Sequence, residues 1–258
     1  METGGGIVLC LIYGPKRVVK EAGIKKFIFL TAFFGLILGF CVLTGCNHDV
    51  AGNNTESTLV CFGDSLTAGY GATVPRKEDR EKSFPAYLQN KINIPVINAG
   101  TSGFTTPWAL TQVEKDVLSK NPLIVIIELG ANDLRMGIDI KNTERKLQNI
   151  IDLIKDGKRK IYIAKFYTEA IAREMARVFN ITDYDKQTEL INQYDTMFNT
   201  LASSNNIELI EDIWNGVWGI HMSDQIHPNA AGYEIMADNI FKVLKPYLRE
   251  NNLLNQGF

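Results

Sequence analysis

Histidine is scarce in this chain: there are 3 in 258 residues, His48, His221 and His227. The 4 cysteines, Cys10, Cys41, Cys46 and Cys61, share no ligand spacing with them, which excludes a His/Cys metal cage, and no metal is expected. Asp183-Tyr184-Asp185 reads as a turn ahead of a helix rather than as a ligand set. Positive charge is not in excess either: 27 Lys and Arg face 29 Asp and Glu, a formal net charge of −2. Lys16, Arg17, Lys20, Lys25 and Lys26 stand against only Glu2 and Glu21 near the start, so the rest is close to −5. Nucleic acid is therefore not expected as a partner, because its binding rests on clustered Lys and Arg. The one mixed charge run, RKEDREK over 76–82, reads as solvated surface. No phosphate loop, flavin or nucleotide signature is visible, so no cofactor is expected. Internal repeats and low-complexity blocks are missing too.

What is present first is a long apolar run. From Lys25-Lys26 the chain enters FIFLTAFFGLILGFCVL without a charge and then reads Leu43-Thr44-Gly45-Cys46. A basic start, an apolar middle and small residues before a cut describe a secretory signal. The LTGC sequence resembles the lipobox of bacterial lipoproteins. That resemblance implies a lipidated Cys46 as first mature residue, tethering the protein to a membrane of the cell envelope on its extracytoplasmic side. An uncleaved membrane helix is the competing reading, and it too leaves the domain outside the cytoplasm. The 45 residues ahead of Cys46 exceed the roughly 15–30 of a signal, so about the first 18 are read as a misassigned start. The expected organisation is a signal over 1–45, a flexible Asn/Gly/Thr/Ser spacer over 46–57, one domain over 58–250 and a tail over 251–258. Beyond Cys46 only Cys61 remains, which makes no internal disulfide and reads as a small buried hydrophobe.

Within the domain, short apolar runs alternate with amphipathic segments. Strands are expected over 58–62, 95–98, 123–129, 160–166 and 207–210, and helices over 84–92, 107–118, 143–155, 186–203 and 228–248. Leu147, Ile150, Ile151 and Ile154 form the i, i+3, i+4, i+7 stripe of a helix lying on a core. Such alternation favours an α/β fold, a parallel sheet covered by helices on both faces, with ligands bound at the carboxyl ends of the strands. Three polar, glycine-bearing turns then crowd one rim: Gly63-Asp64-Ser65, Asn98 to Gly103, and Gly130-Ala131-Asn132-Asp133.

Ser65 follows the first strand, where a serine either caps the next helix or acts as a nucleophile. A nucleophilic serine needs a base. His48 falls in the spacer, whereas His221 and His227 lie in WGIHMSDQIHPNAAGY, just before the last helix. Asp224 precedes His227 by three residues, a spacing at which one loop can bring a carboxylate to an imidazole. Pro228 restricts its predecessor and suits a helix start.

Taken together, Gly63-Asp64-Ser65-Leu66, Ser102-Gly103, Gly130-Ala131-Asn132-Asp133 and Asp224-Gln225-Ile226-His227-Pro228 resemble the four blocks of the GDSL, or SGNH, hydrolases, in order, across 59–248. The resemblance implies a three-layer αβα fold with a flavodoxin-like five-stranded parallel sheet. It implies Ser65 as nucleophile, His227 as base and then acid, and Asp224 as the group orienting His227. The oxyanion hole would be the N–H groups of Ser65 and Gly103 with the Asn132 amide; Gly100 is the competitor of Gly103. Asp64 and Asp133 read as turn-stabilising. The ordinary G-x-S-x-G elbow fits worse, because Thr67 stands where it needs glycine. Trp214, Trp218, Ile220 and Met222 read either as loop packing or, with Tyr70, Phe104 and Trp108, as the wall of an acyl groove. The pattern looks closest to acyl thioesterases, lysophospholipases and arylesterases, so the expected partner is a small-molecule acyl ester, thioester or lysophospholipid. Removal of acetyl groups from extracellular polysaccharide is the alternative activity, and a catalytically silent ligand-binding lipoprotein the alternative of another class.

Overall fold

In the computed structural model, residues 57–167 and 169–258 are described. The signal, Cys46, His48 and nearly all of the expected spacer lie outside the described residues. Five parallel strands form the sheet: β1 (Thr58–Gly63), β2 (Val96–Gly100), β3 (Pro122–Glu128), β4 (Lys160–Ala164) and β5 (Glu208–Ile210). Their spatial order is β2-β1-β3-β4-β5. The helices are α1 (Ser65–Ala68), α2 (Phe84–Gln89), α3 (Thr106–Leu110), α4 (Val113–Asp116), α5 (Ala131–Met136), α6 (Ile140–Ile154), α7 (Glu169–Val178), α8 (Tyr184–Asn205) and α9 (Ala230–Glu250). α2 packs with α9, while α6 packs with α3 and α8, giving the two helical layers around the sheet. This is the expected three-layer α/β architecture. Burial explains the strand sequences: every residue of β1 is buried, and so are Ile124 to Ile127 of β3. Strands covered on both faces read as continuous apolar runs.

From β1 the chain crosses to β2 on one side, then returns past β1 to β3 on the other. In doubly wound sheets this reversal opens a crevice at the strand tips. Parallel register aligns those tips: Gly63 of β1 lies beside Gly100 of β2 and Glu128 of β3.

Several elements depart from expectation. The helix expected over 107–118 is two pieces, broken where the Thr111 hydroxyl donates to the Trp108 carbonyl at 2.8 Å. α7 has no counterpart among the expected helices, although its Glu, Ala, Arg and Met are good helix formers. The expected tail is fastened to the domain: Asn93 N–H donates to the Leu253 carbonyl and Asn255 N–H to that of Lys91. The Lys91 ammonium also sits 4.8 Å from the Phe258 ring. The charged run over 76–82 is not merely solvated. Arg80 donates to the Asn98 carbonyl and Oδ1, each at 3.0 Å, and to the Gly100 carbonyl at 2.7 Å, clamping the tip of β2. Asp183 caps α8 by accepting the Lys186 N–H. Cys61 is fully buried, and burial pushes its thiol pKa far up, as suits a packing residue. Among the described residues no helix is long and apolar enough to cross a membrane.

Candidate active site

Ser65 opens α1 at the tip of β1, and its half-buried side chain stands at the crevice. Helix capping is done by Asp64, whose Oδ1 accepts the Leu66 N–H at 3.0 Å. The Ser65 hydroxyl is thereby released from capping and lies 3.0 Å from His227 Nε2, across 162 residues of sequence.

His227 is held by the loop that precedes α9. Its carbonyl accepts the Ser223 N–H at 2.8 Å, the His221 carbonyl accepts the Asn229 N–H at 2.9 Å, and Met222 pairs with Pro228. Asp224 completes the loop: its Oδ1 accepts the backbone N–H of Ile226 at 2.9 Å and of His227 at 2.8 Å. Asp224 Oδ1 and Oδ2 also lie 3.0 and 2.9 Å from His227 Nδ1. An acceptor at Nδ1 places the ring proton there and leaves Nε2 free to take one from Ser65. Burial alone would raise Asp224, but the Ile226 N–H, the His227 ring and the His227 N–H together hold it below its ordinary value. Burial lowers His227, the Arg135 charge acts in the same direction, and Asp224 opposes both. The Tyr70 ring covers the imidazole at 4.5 Å, and its carbonyl accepts the Tyr233 hydroxyl at 2.8 Å.

The two glycine candidates separate clearly. A Cβ on Gly100 would lie 2.4 Å from Ala68 N and 2.7 Å from Thr67 C, so this glycine exists to let α1 approach β2. Gly103 has φ +84° and open space where its Cβ would point. Among the described residues no hydrogen bond of its N–H is found, which leaves that donor for a ligand. Asn132 is buried at the start of α5, donating from Nδ2 to the Phe104 carbonyl at 3.0 Å and to Asp64 Oδ2 at 3.2 Å. Its Oδ1 accepts Arg135 Nε at 3.2 Å. Asp133 is structural: its carboxylate accepts the Thr106 N–H at 2.8 Å, the Thr106 hydroxyl at 2.6 Å and the Thr143 hydroxyl at 3.1 Å.

The aromatic residues do not form one wall. Trp214 is 2% exposed, donates its indole N–H to the Phe166 carbonyl at 2.9 Å and belongs to the core. This corrects its reading as a groove residue. Trp218 lies against it edge-on and donates to Glu174 Oε2 at 2.6 Å. Phe104 is buried edge-on to Phe62, with the exposed Trp108 resting over it at 5.6 Å. A separate small apolar cavity of about 20 Å³ lies between α7 and α8, lined among others by Leu134, Phe166, Tyr167, Met175 and Tyr194. Arg80, Arg135 and Tyr233 were not legible as site residues, since no motif marks them.

The chain is 34% identical over 126 residues to an arylesterase of Vibrio mimicus, an alignment covering 47% of this chain and 56% of the arylesterase. It is 25% identical over 200 residues to thioesterase 1/protease 1/lysophospholipase L1 of Escherichia coli K12, covering 76% of this chain and 86% of that protein. The crystal structure of TesA superposes with a TM-score of 0.59 at 22% identity, over 74% of this chain and 99% of the other, which shows the shared fold. The family model described as GDSL-like Lipase/Acylhydrolase matches residues 61–235, spanning the strand tips and reaching past His227, and the chain belongs to that family of ester hydrolases.

Proposed function

We propose that the protein cleaves acyl esters or thioesters, including lysophospholipids, through a covalent acyl-enzyme on Ser65. The observation that carries this reading is the 3.0 Å contact between Ser65 Oγ and His227 Nε2, with Asp224 on the far side of the ring. His227 takes the Ser65 proton as Oγ forms a bond to the acyl carbonyl carbon. The carbonyl oxygen becomes an oxyanion facing the N–H groups of Ser65 and Gly103 and the Asn132 amide, which turns to it the hydrogen that otherwise rests on the Phe104 carbonyl and keeps the other on Asp64. As the tetrahedral adduct collapses, the carbon–heteroatom bond to the leaving oxygen or sulfur breaks and His227 supplies its proton. Water, deprotonated by His227, then releases the acid and restores Ser65. Asp224 stabilises the imidazolium formed in each half.

The test is a panel of p-nitrophenyl esters and acyl thioesters of increasing chain length, run beside Ser65→Ala. Octanoyl and longer substrates are expected to exceed acetyl in kcat/KM. A strong preference for acetyl would instead favour action on acetylated polysaccharide, and no turnover of any ester would overturn the reading.

Two further outcomes are expected. Because His227 must be neutral to act as base, kcat/KM rises with pH through its pKa. Burial lowers that pKa, so the midpoint of the acid limb falls below the ordinary 6.5. A pH–rate profile with its acid midpoint well above 6.5 would contradict the assignment. Asn132→Ala lowers kcat by about 10²–10³, roughly 2.7–4 kcal/mol, as for loss of other oxyanion donors. An unchanged kcat would remove Asn132 from that role.

Location rests on the leader. Attachment through lipid on Cys46, at the extracytoplasmic side of a membrane, is supported by the basic start, the apolar run and LTGC. Cells fed a radiolabelled fatty acid are expected to label the full-length protein but not Cys46→Ala; equal labelling of both would refute it.

A further inference from the structure

Directly behind the nucleophile lie two acids that the mechanism above does not use. Asp64 and Glu128 are each 1% exposed, and neither enters an ion pair among the described residues. Parallel register brings them together, since Glu128 of β3 lies beside Gly63 of β1, one residue before Asp64. They are near enough for the charge of Asp64 to act on Glu128. Two carboxylates without a cation cannot both stay ionised in such a place, so a proton must lie between them.

The surrounding donors indicate where. Asp64 accepts on both oxygens, the Leu66 N–H on Oδ1 and the Asn132 amide on Oδ2, as a carboxylate does. Glu128 accepts the Thr67 hydroxyl on Oε2 at 3.0 Å, whereas its buried Oε1 has no donor. An oxygen in that position is satisfied when it carries the proton and donates.

We propose that Asp64 and Glu128 form a singly protonated carboxyl pair, with the proton on Glu128, and that this pair positions the Ser65 turn and the Asn132 amide for catalysis. Asp64 holds the first turn of α1 from one side, Glu128 holds it through Thr67 from the other, and Asp64 alone orients Asn132 from the nucleophile side. The electrostatic surroundings fit a single charge. Burial drives Asp64 up to about 7, with the Asp133 charge adding and the Leu66 N–H opposing. Burial, then the charge of Asp64, drives Glu128 well above the ordinary range, opposed by the Thr67 hydroxyl and the N–H groups of Asp64 and Thr67. From α9 the Tyr233 phenol faces the pair; burial, then Glu128, Asp64 and Asp224, raise it, so it stays neutral. Loss of the Glu128 proton would put a second negative charge beside the place where the substrate oxyanion forms, so turnover has an alkaline limit set by the pair.

The kinetic arm rests on the serine-hydrolase reading; the spectroscopic arm does not. In Asp64→Asn, the side-chain oxygen keeps the Leu66 N–H and the new amide faces the Asn132 amide, donor against donor. The expected result is a fall in kcat of about 10²-fold on a p-nitrophenyl ester, with KM within a few-fold. Glu128→Ala loses a similar factor, and Glu128→Gln recovers most of it, since its amide replaces the shared proton and its carbonyl still accepts Thr67. The alkaline limb seen in the parent is absent from Glu128→Gln. Carboxyl ¹³C NMR of the parent protein, labelled at Asp and Glu, shows a carboxyl still protonated at neutral pH and missing from Glu128→Gln. The proposal is overturned if every carboxyl is ionised at neutral pH, if Glu128→Gln is as impaired as Glu128→Ala, or if the Asp64→Asn loss appears in KM. A parent protein without esterase activity would overturn the hydrolase reading, while the carboxyl titration, which needs no turnover, still decides the protonation of the pair.

Discussion

Ser65→Ala is expected to lower kcat by up to roughly 10⁶-fold, leaving only the acceleration that a bound oxyanion hole retains without its nucleophile. The folded state is expected to survive the change. Capping of α1 falls to Asp64 rather than Ser65, and alanine is a good residue for the first turn of a helix. The hydroxyl removed is hydrogen-bonded to His227, which keeps Asp224 and the backbone bonds of its loop. The measurements are kcat on the preferred ester and the thermal midpoint, expected to stay within a few degrees because no cavity or cap is lost. Normal ester turnover by Ser65→Ala would end the covalent mechanism. A large drop in the midpoint would mean that Ser65 is structural.

The second large effect is expected from Asp224→Asn, and the geometry gives its sign. Both backbone donors, Ile226 and His227, go to Oδ1 of Asp224. An asparagine keeps its oxygen there, so its amide takes the place of Oδ2, 2.9 Å from His227 Nδ1. That amide can only donate, in competition with the oxygen that stays 3.0 Å from Nδ1, and so favours the imidazole tautomer with its proton on Nε2, facing Ser65. A ring in this tautomer cannot accept the serine proton. The expected loss is about 10⁴-fold in kcat, the size found when other triads are driven to the wrong tautomer. Little change in loop structure is expected, since the backbone bonds remain. Activity within ten-fold of the parent would show that Asp224 does not set the tautomer.

Much of the architecture is written in local pattern. β1 and β3 are apolar on both faces because both faces are covered, and α6 carries its core-facing residues at helical spacing. Such signals depend on neighbours in the chain, so they can be read without coordinates. α7 was missed although its amphipathic pattern is as pronounced as that of α6 and Ala172, Met175 and Ala176 are buried. The break between α3 and α4 escaped because nothing local in 107–118 marks the point where the Thr111 and Gln112 N–H groups turn to the carbonyls three residues back.

The site divides along the same line. Ser65 was legible as a candidate because it follows a strand tip, His227 because Pro228 fixes it ahead of the last helix, and Asp224 because it stands three residues before His227. Arg80 looked like solvent-facing charge, since nothing in RKEDREK tells that one arginine reaches Asn98 and Gly100. Trp214 looked like a groove residue because its indole partner, the Phe166 carbonyl, lies 48 residues away. Glu128 ends an apolar strand, which marks it as unusual, but its partner Asp64 became visible only through the register of β1 and β3.

By itself, then, the order of residues determined the alternation of strands and helices, the family blocks and the chemical types at the rim, since these follow from periodicity and turn chemistry over a few positions. Only tertiary structure decided which hydroxyl meets which imidazole, which glycine serves packing and which leaves its N–H open, and which acids are confined together. Those outcomes depend on distances between segments far apart in the chain, set by crossover of the sheet and by burial, and neither quantity is contained in any local stretch.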